Sequence, residues 1–394
     1  MNNKGRLGLY IHWPFCLSKC PYCDFNVHVR NAIDYGRWQD TYLKSLDYYA
    51  TIMPERLLGS IYFGGGTPST MPPALVGAII DKARSIWPCT NDIEITLEAN
   101  PTSIEMQKFE AFKEAGVNRV SIGVQALNDK DLQFLGRQHS AKEALKAVGI
   151  ARDVFEKFSF DLIYARPEQT LDQWQEELSQ ARELAGGHLS LYQLTIERNT
   201  PFYYSYEQKQ FSLPEEELAA DFYDLTQELL NEDLPAYEVS NHAADGQESQ
   251  HNLNYWHNGE YVGIGPGAHG RIWQDGVKCA TRNHHAPDAW LERVEGQGHG
   301  AHPYQKLKQD DLALEALMTG LRLREGLCLE HLAEQSGGDW QSYIDMAKLD
   351  MIIAEGWAVQ SKDALTLTRE GMLRLNAIIP FILKAGMPHR KTAR

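Results

Sequence analysis

The sequence contains no run of about eighteen consecutive apolar residues, the length that a membrane-crossing helix needs. The N-terminal stretch MNNKGRLGLYIHWPF also lacks the long apolar segment of a secretory signal. Positive charge is in deficit, because 38 Lys and Arg stand against 53 Asp and Glu, a formal net charge of −15. Such an acidic chain repels a phosphate backbone. These features predict a cytoplasmic protein that binds no nucleic acid and has at most peripheral contact with a membrane.

Cysteine is also scarce, but three of the six cysteines, Cys16, Cys20 and Cys23, fall within the short stretch HWPFCLSKCPYCDFNVH. In a reducing cytoplasm such a group serves metal or redox chemistry more often than disulfides. The spacing leaves three alternatives open: a structural zinc completed by His12 or His28, a redox pair in CPYC, or an iron–sulfur cluster. The chain offers no second C-x-x-C and no clear H-x3-H pair as further ligands.

The missing fourth thiol has a functional interpretation if the loop holds iron and sulfur. Three thiolates on a four-iron cluster leave one iron without a protein ligand, much as a catalytic zinc keeps an open position. A small molecule would then bind at that iron.

Short β-branched or aromatic segments alternate with helix-period segments from residue 7 to about residue 197, which is typical of a parallel sheet with crossover helices. We predict a partial (β/α)6 barrel over 1–200, a connecting region over 201–305, and a smaller, mostly helical, winged-helix-like domain over 306–394. The predicted strands span 7–13, 60–65, 93–99, 119–124, 158–165 and 189–197.

Polar residues lie in or just after these strands, and a barrel of this kind binds ligands at the carboxyl ends of its strands. They are the run Gly64-Gly65-Gly66-Thr67-Pro68 with Glu98, Asn100, Gln125, Asp161 and Gln193. Each alone has a structural explanation, such as a tight turn, a helix cap or a buried hydrogen-bonder. Their convergence on one mouth predicts a ligand site.

Several motifs in combination resemble the radical S-adenosylmethionine (SAM) superfamily. The likeness begins with the C-x3-C-x2-C loop, with Tyr22 before its third cysteine, and continues with GGGTP after the second strand. Within that superfamily, LYIHWPFC, CPYCDF, YFGGGTPS, LEANP, SIGVQ and DLIYARP are similar to the oxygen-independent coproporphyrinogen III oxidase branch. The resemblance implies a TIM-like barrel of the radical SAM type, a 4Fe-4S cluster on Cys16, Cys20 and Cys23, and SAM on its open iron.

The same resemblance implies which residues contact SAM. Backbone groups of Gly65, Gly66 and Thr67 would face the methionine amine, since glycine lets the main chain approach closely. Arg137 suits the carboxylate, because a guanidinium fork pairs well with one. The other implied contacts are Tyr10, Tyr22, Glu98, Gln125 and Asp161.

A further motif, HNLNYW, is similar to the H-N-x-x-Y-W signature of the HemW group of heme chaperones within this family. Phe25 stands where the decarboxylating oxidases carry another cysteine. The resemblance implies a protein that binds heme and delivers it to respiratory acceptor proteins, without coproporphyrinogen III oxidase activity; a homodimer is compatible with it. The implied heme contacts are His251, Asn252, Tyr255 and Trp256, and His251 is the candidate axial ligand.

Rival interpretations remain open at this point. A coproporphyrinogen III oxidase would use the same cluster and also bind a porphyrin, and a zinc-stabilised structural protein would use the cysteines alone. His257 and His269 lie in the same segment as His251 and are alternative heme ligands.

One loop departs from the family pattern. Where the family usually reads DLIYGLPGQT, this chain reads DLIYARPEQT, so that Ala165, Arg166 and Glu168 replace Gly, Leu and Gly. We therefore expect an altered loop after the fifth predicted strand.

Overall fold

A computed structural model describes residues 6–30 and 32–387 of the chain. Its strands are β1 (Arg6–Trp13), β2 (Phe15–Cys16), β3 (His28–Val29), β4 (Leu57–Gly65), β5 (Cys89–Ala99), β6 (Arg119–Gln125), β7 (Lys157–Tyr164), β8 (His188–Gln193), β9 (Asn241–Ala243), β10 (Glu260–Ile264), β11 (His269–Gln274), β12 (Val277–Arg282), β13 (Gln305–Lys306), β14 (Leu327–Cys328), β15 (Ala358–Gln360) and β16 (Ala364–Leu367).

The helices are α1 (Tyr35–Ile52), α2 (Pro73–Ile86), α3 (Ser103–Met106), α4 (Phe109–Glu114), α5 (Asp129–Phe134), α6 (Ala141–Val154), α7 (Leu171–Leu184), α8 (Pro201–Glu207), α9 (Glu216–Leu230), α10 (Gln250–Trp256), α11 (Pro287–Gln297), α12 (Gln309–Gly320), α13 (Leu329–Ser336), α14 (Met346–Ala354), α15 (Arg369–Met372) and α16 (Leu375–Ile382). Two short 3-10 helices span Pro68–Thr70 and Trp340–Ser342. Within the described ranges, no helix combines the length and the apolar character that a bilayer crossing requires.

Eleven strands form one sheet in the order β13-β12-β11-β10-β1-β4-β5-β6-β7-β8-β9. The pairs from β10 through β1 to β8 are all parallel. The six predicted strands correspond to β1, β4, β5, β6, β7 and β8, and the predicted α/β class is confirmed. The sixth strand ends at Gln193 rather than at Glu197.

Successive side chains of β1 point to opposite faces of the strand. One face packs in the core between the strands and the helices, and the other faces the barrel interior. Leu9 and Ile11 are fully buried in the core that the strands share with the surrounding helices. Tyr10 and His12 face the interior instead, where the Tyr10 hydroxyl lies 3.0 Å from Nδ1 of His12. Each buried aliphatic side chain contributes about 1.5–3 kcal/mol, whereas the interior positions are free to carry polar groups.

The region 201–305 differs from the predicted connection, because it adds β9, β10, β11 and β12 to the main sheet. Strand β10 pairs in parallel with β1, and β11 and β12 extend the edge as an antiparallel hairpin. These strands are only three to six residues long, so no clear period marks them in the sequence.

The C-terminal part has a hydrophobic core of its own, built mainly from α12 to α16 and the antiparallel sheet β14-β16-β15. The predicted small helical domain is confirmed in class. Its boundaries at 306 and 394 stay a prediction, and residues 388–394 lie outside the described part of the chain.

Candidate functional site

The three clustered cysteines lie on a closed loop at the carboxyl end of β1. Strands β2 and β3 pair in parallel at the base of this loop and place Cys16 opposite Val29. A turn closed by the Cys23 amide on the Cys20 carbonyl at 3.2 Å brings the second and third cysteines together. All three cysteines are partly exposed, so a ligand can reach the loop.

Hydrogen-bond donors approach two of these sulfurs. The Thr67 hydroxyl lies 3.4 Å from Sγ of Cys16, and Nη1 of Arg137 lies 3.5 Å from Sγ of Cys20. Burial raises the pKa of Cys16 to about 11, and burial also raises the pKa of Cys23.

The zinc alternative finds no free ligand at His12, whereas Nε2 of His28 is buried without a partner among the described residues. Nδ1 of His12 lies 3.0 Å from the Tyr10 hydroxyl, and Nε2 of His12 lies 3.0 Å from the Asn26 carbonyl oxygen. Among residues 6–30 and 32–387, no three His, Cys, Asp or Glu side chains are placed to share one metal ion. In a four-iron cluster, by contrast, each thiolate binds a different iron, so the sulfurs need not meet at one point.

The glycine-rich loop after β4 packs directly on the cysteine loop. The Gly66 amide donates to the Trp13 carbonyl at 2.7 Å, and the Thr67 amide donates to the Phe15 carbonyl at 2.8 Å. A Cβ atom on Gly66 would lie 2.5 Å from the Phe15 carbonyl oxygen, so only glycine permits this approach. The predicted contact of Gly65, Gly66 and Thr67 with a ligand amine stays a prediction, since these amides already have partners.

Two carboxylates face the mouth beside that loop. Glu98 accepts hydrogen bonds from the Tyr62 hydroxyl at 2.9 Å and from the Gly65 amide at 3.2 Å. Burial raises the pKa of Glu98 to about 7, with a smaller contribution from the charge of Asp161, whose own pKa burial raises to about 6. Together they form an acceptor site for hydroxyl groups or for a cation.

Arg137 joins the mouth to the cysteine loop. Its Nη2 donates to Asn100 Oδ1 at 2.6 Å and to the Gly123 carbonyl at 2.7 Å, while its Nη1 lies 3.5 Å from the Tyr22 hydroxyl. Gln125 adopts a positive φ of 73°, which is uncommon outside glycine and typical of functional sites. Arg137 Nε and Gln125 Oε1 are buried without a partner among the described residues, and such groups mark a place where a ligand would bond.

The HNLNYW motif forms helix α10, and the first turn of this helix is anchored in the barrel interior. Glu94 on β5 accepts from the Ser249 hydroxyl and from the amides of Gln250 and His251, each at 3.2 Å. A carboxylate at a helix N-terminus satisfies orphan amides and complements the helix dipole. The motif therefore docks on the barrel near the N-terminal ends of its strands, whereas the cysteine loop lies at their carboxyl ends.

His251 itself is 1% exposed. Its Nδ1 lies 2.8 Å from the Ser60 hydroxyl, its Nε2 lies 2.6 Å from the Tyr255 hydroxyl, and its ring stacks on Tyr62 at 5.0 Å. Trp256 lies elsewhere, under the guanidinium of Arg322 at 4.6 Å. Axial ligation by His251 would require the loss of one of its two hydrogen bonds, so the structure does not support it; heme contact by His251, Asn252, Tyr255 and Trp256 stays a prediction.

The sequence did not single out Ser60, Tyr62 or Glu94, although each holds a predicted site residue. Only their positions in the strands could have identified them. Ser60 and Tyr62 are two residues apart on β4 and share its interior face, and Glu94 on β5 lies opposite Ser60. A polar residue at an interior position of a barrel strand is the pattern that would have found them.

The loop that departs from the family pattern, residues 165–168, keeps a backbone conformation suited to glycine. Ala165 and Glu168 have φ values of 55° and 61°, so the left-handed backbone is retained at a cost of about 1 kcal/mol or more per residue. Arg166 is 1% exposed, and its Nη2 lies 2.5 Å from Glu177 Oε2 and 3.0 Å from Asp131 Oδ2. A buried ion pair therefore lies next to this loop.

Comparisons with known proteins agree with this geometry. Residues 10–181 match the radical SAM superfamily, and residues 307–374 match the HemN C-terminal domain. Radical S-adenosyl methionine domain-containing protein 1, mitochondrial, of Mus musculus is 35% identical over 386 residues, which cover 96% of this chain and 87% of that protein. Heme chaperone HemW of Escherichia coli is 35% identical over 392 residues, which cover 96% of this chain and 98% of that protein. The chain belongs to the HemW group of the radical SAM superfamily.

Among solved structures, this radical SAM protein is similar to coproporphyrinogen III oxidase (HemN) from Escherichia coli. The TM-score is 0.79 at 21% identity, with 96% of this chain and 90% of that chain covered. At that identity the likeness shows the fold alone.

Replacing Glu98 with glutamine in this radical SAM barrel is expected to stabilise the protein at about pH 8. The pKa of Glu98 lies near 7 in the folded state against an ordinary value of 4.5, so the unfolded state loses its proton first as the pH rises. The free energy of unfolding of the wild type therefore falls as the pH rises through these two pKa values. Glutamine is neutral throughout this range, so the variant avoids this loss of about 1–3 kcal/mol. Thermal unfolding at about pH 8 and pH 4.5 measures the difference. The exposed Glu110 provides the control variant Glu110→Gln, and an equal gain at both pH values would contradict this explanation.

Proposed function

We propose that this chain binds heme and delivers it to acceptor proteins, on a scaffold that holds a 4Fe-4S cluster and SAM. The observation that carries the proposal is the 35% and 34% identity to proteins named heme chaperone HemW, from Escherichia coli and Haemophilus influenzae, over 96% of this chain. The exposed Phe25, at the position where the decarboxylating oxidases carry a further cysteine, also supports it. No observation beyond the fold favours the oxidase.

The residues fit the two cofactors that membership of the radical SAM superfamily implies. The chain's contribution to the cluster would be Cys16, Cys20 and Cys23, with Thr67 and Arg137 donating to two of the sulfurs. When bound, such a cluster keeps one iron open for the amine and carboxylate of SAM. The unpartnered Arg137 Nε and Gln125 Oε1, the carboxylates of Glu98 and Asp161, and the hydroxyls of Tyr10 and Tyr22 would bind and orient SAM.

We further propose respiratory heme proteins as the acceptors and the cytoplasm as the compartment. The acidic net charge of −15 suits a protein that meets other proteins rather than nucleic acid. Animal relatives carry the word mitochondrial in their names.

The function is tested by anaerobic reconstitution of the full chain followed by two assays. Heme titration followed by the Soret band should show retention of about one heme per chain, because the chaperone function requires a heme complex. Incubation with coproporphyrinogen III, SAM and a reductant should show no decarboxylation. Decarboxylation without heme retention would favour the oxidase, and loss of both activities would also overturn the proposal.

A further inference from the structure

A pair of stacked imidazoles lies at the surface on the two segments that flank α11, with His284 before this helix and His302 after it. Asn283 forms an isolated antiparallel bridge with Ala301; the His284 amide donates to the Gly300 carbonyl at 3.0 Å, and the His302 amide donates to the Arg282 carbonyl at 2.9 Å. This ladder places His284 and His302 on either side of one bridge, with ring centroids 3.7 Å apart and an interplanar angle of 30°. Both side chains remain partly exposed.

The support beneath the pair is rigid. The side chain of Asn283 is buried and accepts from Trp290 Nε1 at 3.2 Å, while its Nδ2 donates to the Gly263 carbonyl at 2.8 Å. A Cβ atom on Gly300 would lie 2.1 Å from the Trp290 ring, so the second segment lies directly against the same buried tryptophan. The two imidazoles are therefore held by buried neighbours rather than by a loose loop.

Cationic side chains lie beside the two imidazoles, since Arg282, Arg293 and His285 are close enough to act electrostatically on both rings. Arg282 and Arg293 are exposed, and in the described part of the chain neither forms an ion pair with a carboxylate. Their guanidinium groups are available for the carboxylates of a ligand.

This surface is continuous with the cysteine loop. Asn26 Nδ2 donates to the carbonyl oxygens of His285 and Pro266, each at 3.0 Å, and Arg30 Nη1 donates to Asp288 at 2.9 Å. The same loop exposes three large apolar side chains: Leu17 at 68%, Phe25 at 59% and Val29 at 54%. The segment with the imidazoles and arginines therefore contacts the loop that carries the exposed apolar groups.

We propose, on the basis of the proposed heme function, that heme docks on this surface. One imidazole of the His284–His302 pair would bind the iron, Arg282 and Arg293 would bind the propionates, and the macrocycle would lie against the apolar groups of the cysteine loop. Heme iron has four ring nitrogens and needs only an axial imidazole, whereas a bare zinc ion takes three or four protein ligands. Stacked rings cannot occupy opposite faces of one iron, so one ring binds while the other can replace it. Unlike His251, both rings are within reach of solvent.

The test is anaerobic heme titration of the reconstituted full chain, comparing wild type with His284→Ala/His302→Ala. Because either ring can serve, each single variant should bind within a few-fold of wild type, while the double variant should bind at least about tenfold more weakly and show a shifted Soret band. Added imidazole should restore the wild-type spectrum of the double variant, which a merely unfolded protein would not allow. Arg282→Gln/Arg293→Gln should weaken heme more than heme dimethyl ester, whose propionates carry no charge.

Two further variants separate this site from its rivals. His331→Ala, which changes a histidine of α13 in the C-terminal part, is the matched control and should leave the titration unchanged. If His251→Asn abolishes the Soret band while the His284 and His302 double variant binds as wild type, the docking surface is wrong and the heme function stands. If wild-type protein binds no heme, both the proposed function and this surface are overturned.

Discussion

Replacing Arg166 with leucine is expected to lower the free energy of unfolding by about 3–5 kcal/mol, the cost of leaving one partner of a buried ion pair alone. Glu177 is 8% exposed, and its Oε2 would lose the guanidinium that lies 2.5 Å away. Leucine is the residue that the family usually carries here. A loss of stability in Arg166→Leu would therefore show that Arg166 is required in this chain because Glu177 is its buried partner. Urea unfolding of the metal-free protein measures it.

The control for this prediction neutralises the partner in the same chain. Glu177 Oε1 also accepts the Leu127 amide at 2.7 Å, so glutamine keeps that bond while removing the charge. Arg166→Leu/Glu177→Gln should therefore recover most of the stability lost in Arg166→Leu. A single variant as stable as wild type, or a double variant that recovers nothing, would contradict the ion-pair explanation.

Replacing Cys20 with alanine is expected to abolish the iron–sulfur cluster, reducing the iron content from about four per chain to near zero. Cys20 lies between the other two cysteines of the loop and receives the Arg137 guanidinium at 3.5 Å, so its loss removes a central ligand. Iron and sulfide analysis of anaerobically purified protein measures the change, together with the visible absorbance.

Cys89 provides a matched control for this cysteine variant, because it is partly buried on β5 with its thiol 3.6 Å from the Trp87 carbonyl oxygen. Cys89→Ala should retain the full cluster. Stoichiometric zinc in the wild-type protein, with no iron or sulfide, would overturn the assignment of the loop.

The parallel core of the fold was predictable because its strands follow a simple rule. β5 and β7 are short β-branched or aromatic segments separated by amphipathic helices, and their predicted spans agree with the structure near the carboxyl ends that form the mouth. The last strand was overestimated, because Leu194 and Ile196 also alternate with polar residues, although their phase is shifted by one residue from Leu189 and Leu191 and they pack in a small separate cluster with Phe202. An alternating pattern of apolar residues does not show whether the segment pairs as a strand of the sheet or packs against other side chains outside it.

The antiparallel edge and the role of helix α10 were not predictable in the same way. A short hairpin such as β11–β12 depends on which strand it meets, and β10 pairs with β1, more than two hundred residues earlier in the chain. His251 illustrates the second difficulty, because the sequence marks it as a chemically active residue while the fold buries it against Ser60 and Tyr62. Local pattern gives the residue type, and long-range packing decides whether a ligand can reach it.

The parallel pairing of β1 with both β4 and β10 has a consequence for synthesis on the ribosome. At about 5–20 residues per second, the segment that forms β10 emerges roughly 12–50 s after β1. Until then one side of β1 is an open edge, and such edges template aggregation. A fragment that ends near residue 200 carries every cysteine of the loop yet never covers this edge, so we expect it to aggregate rather than act as a smaller version of the protein.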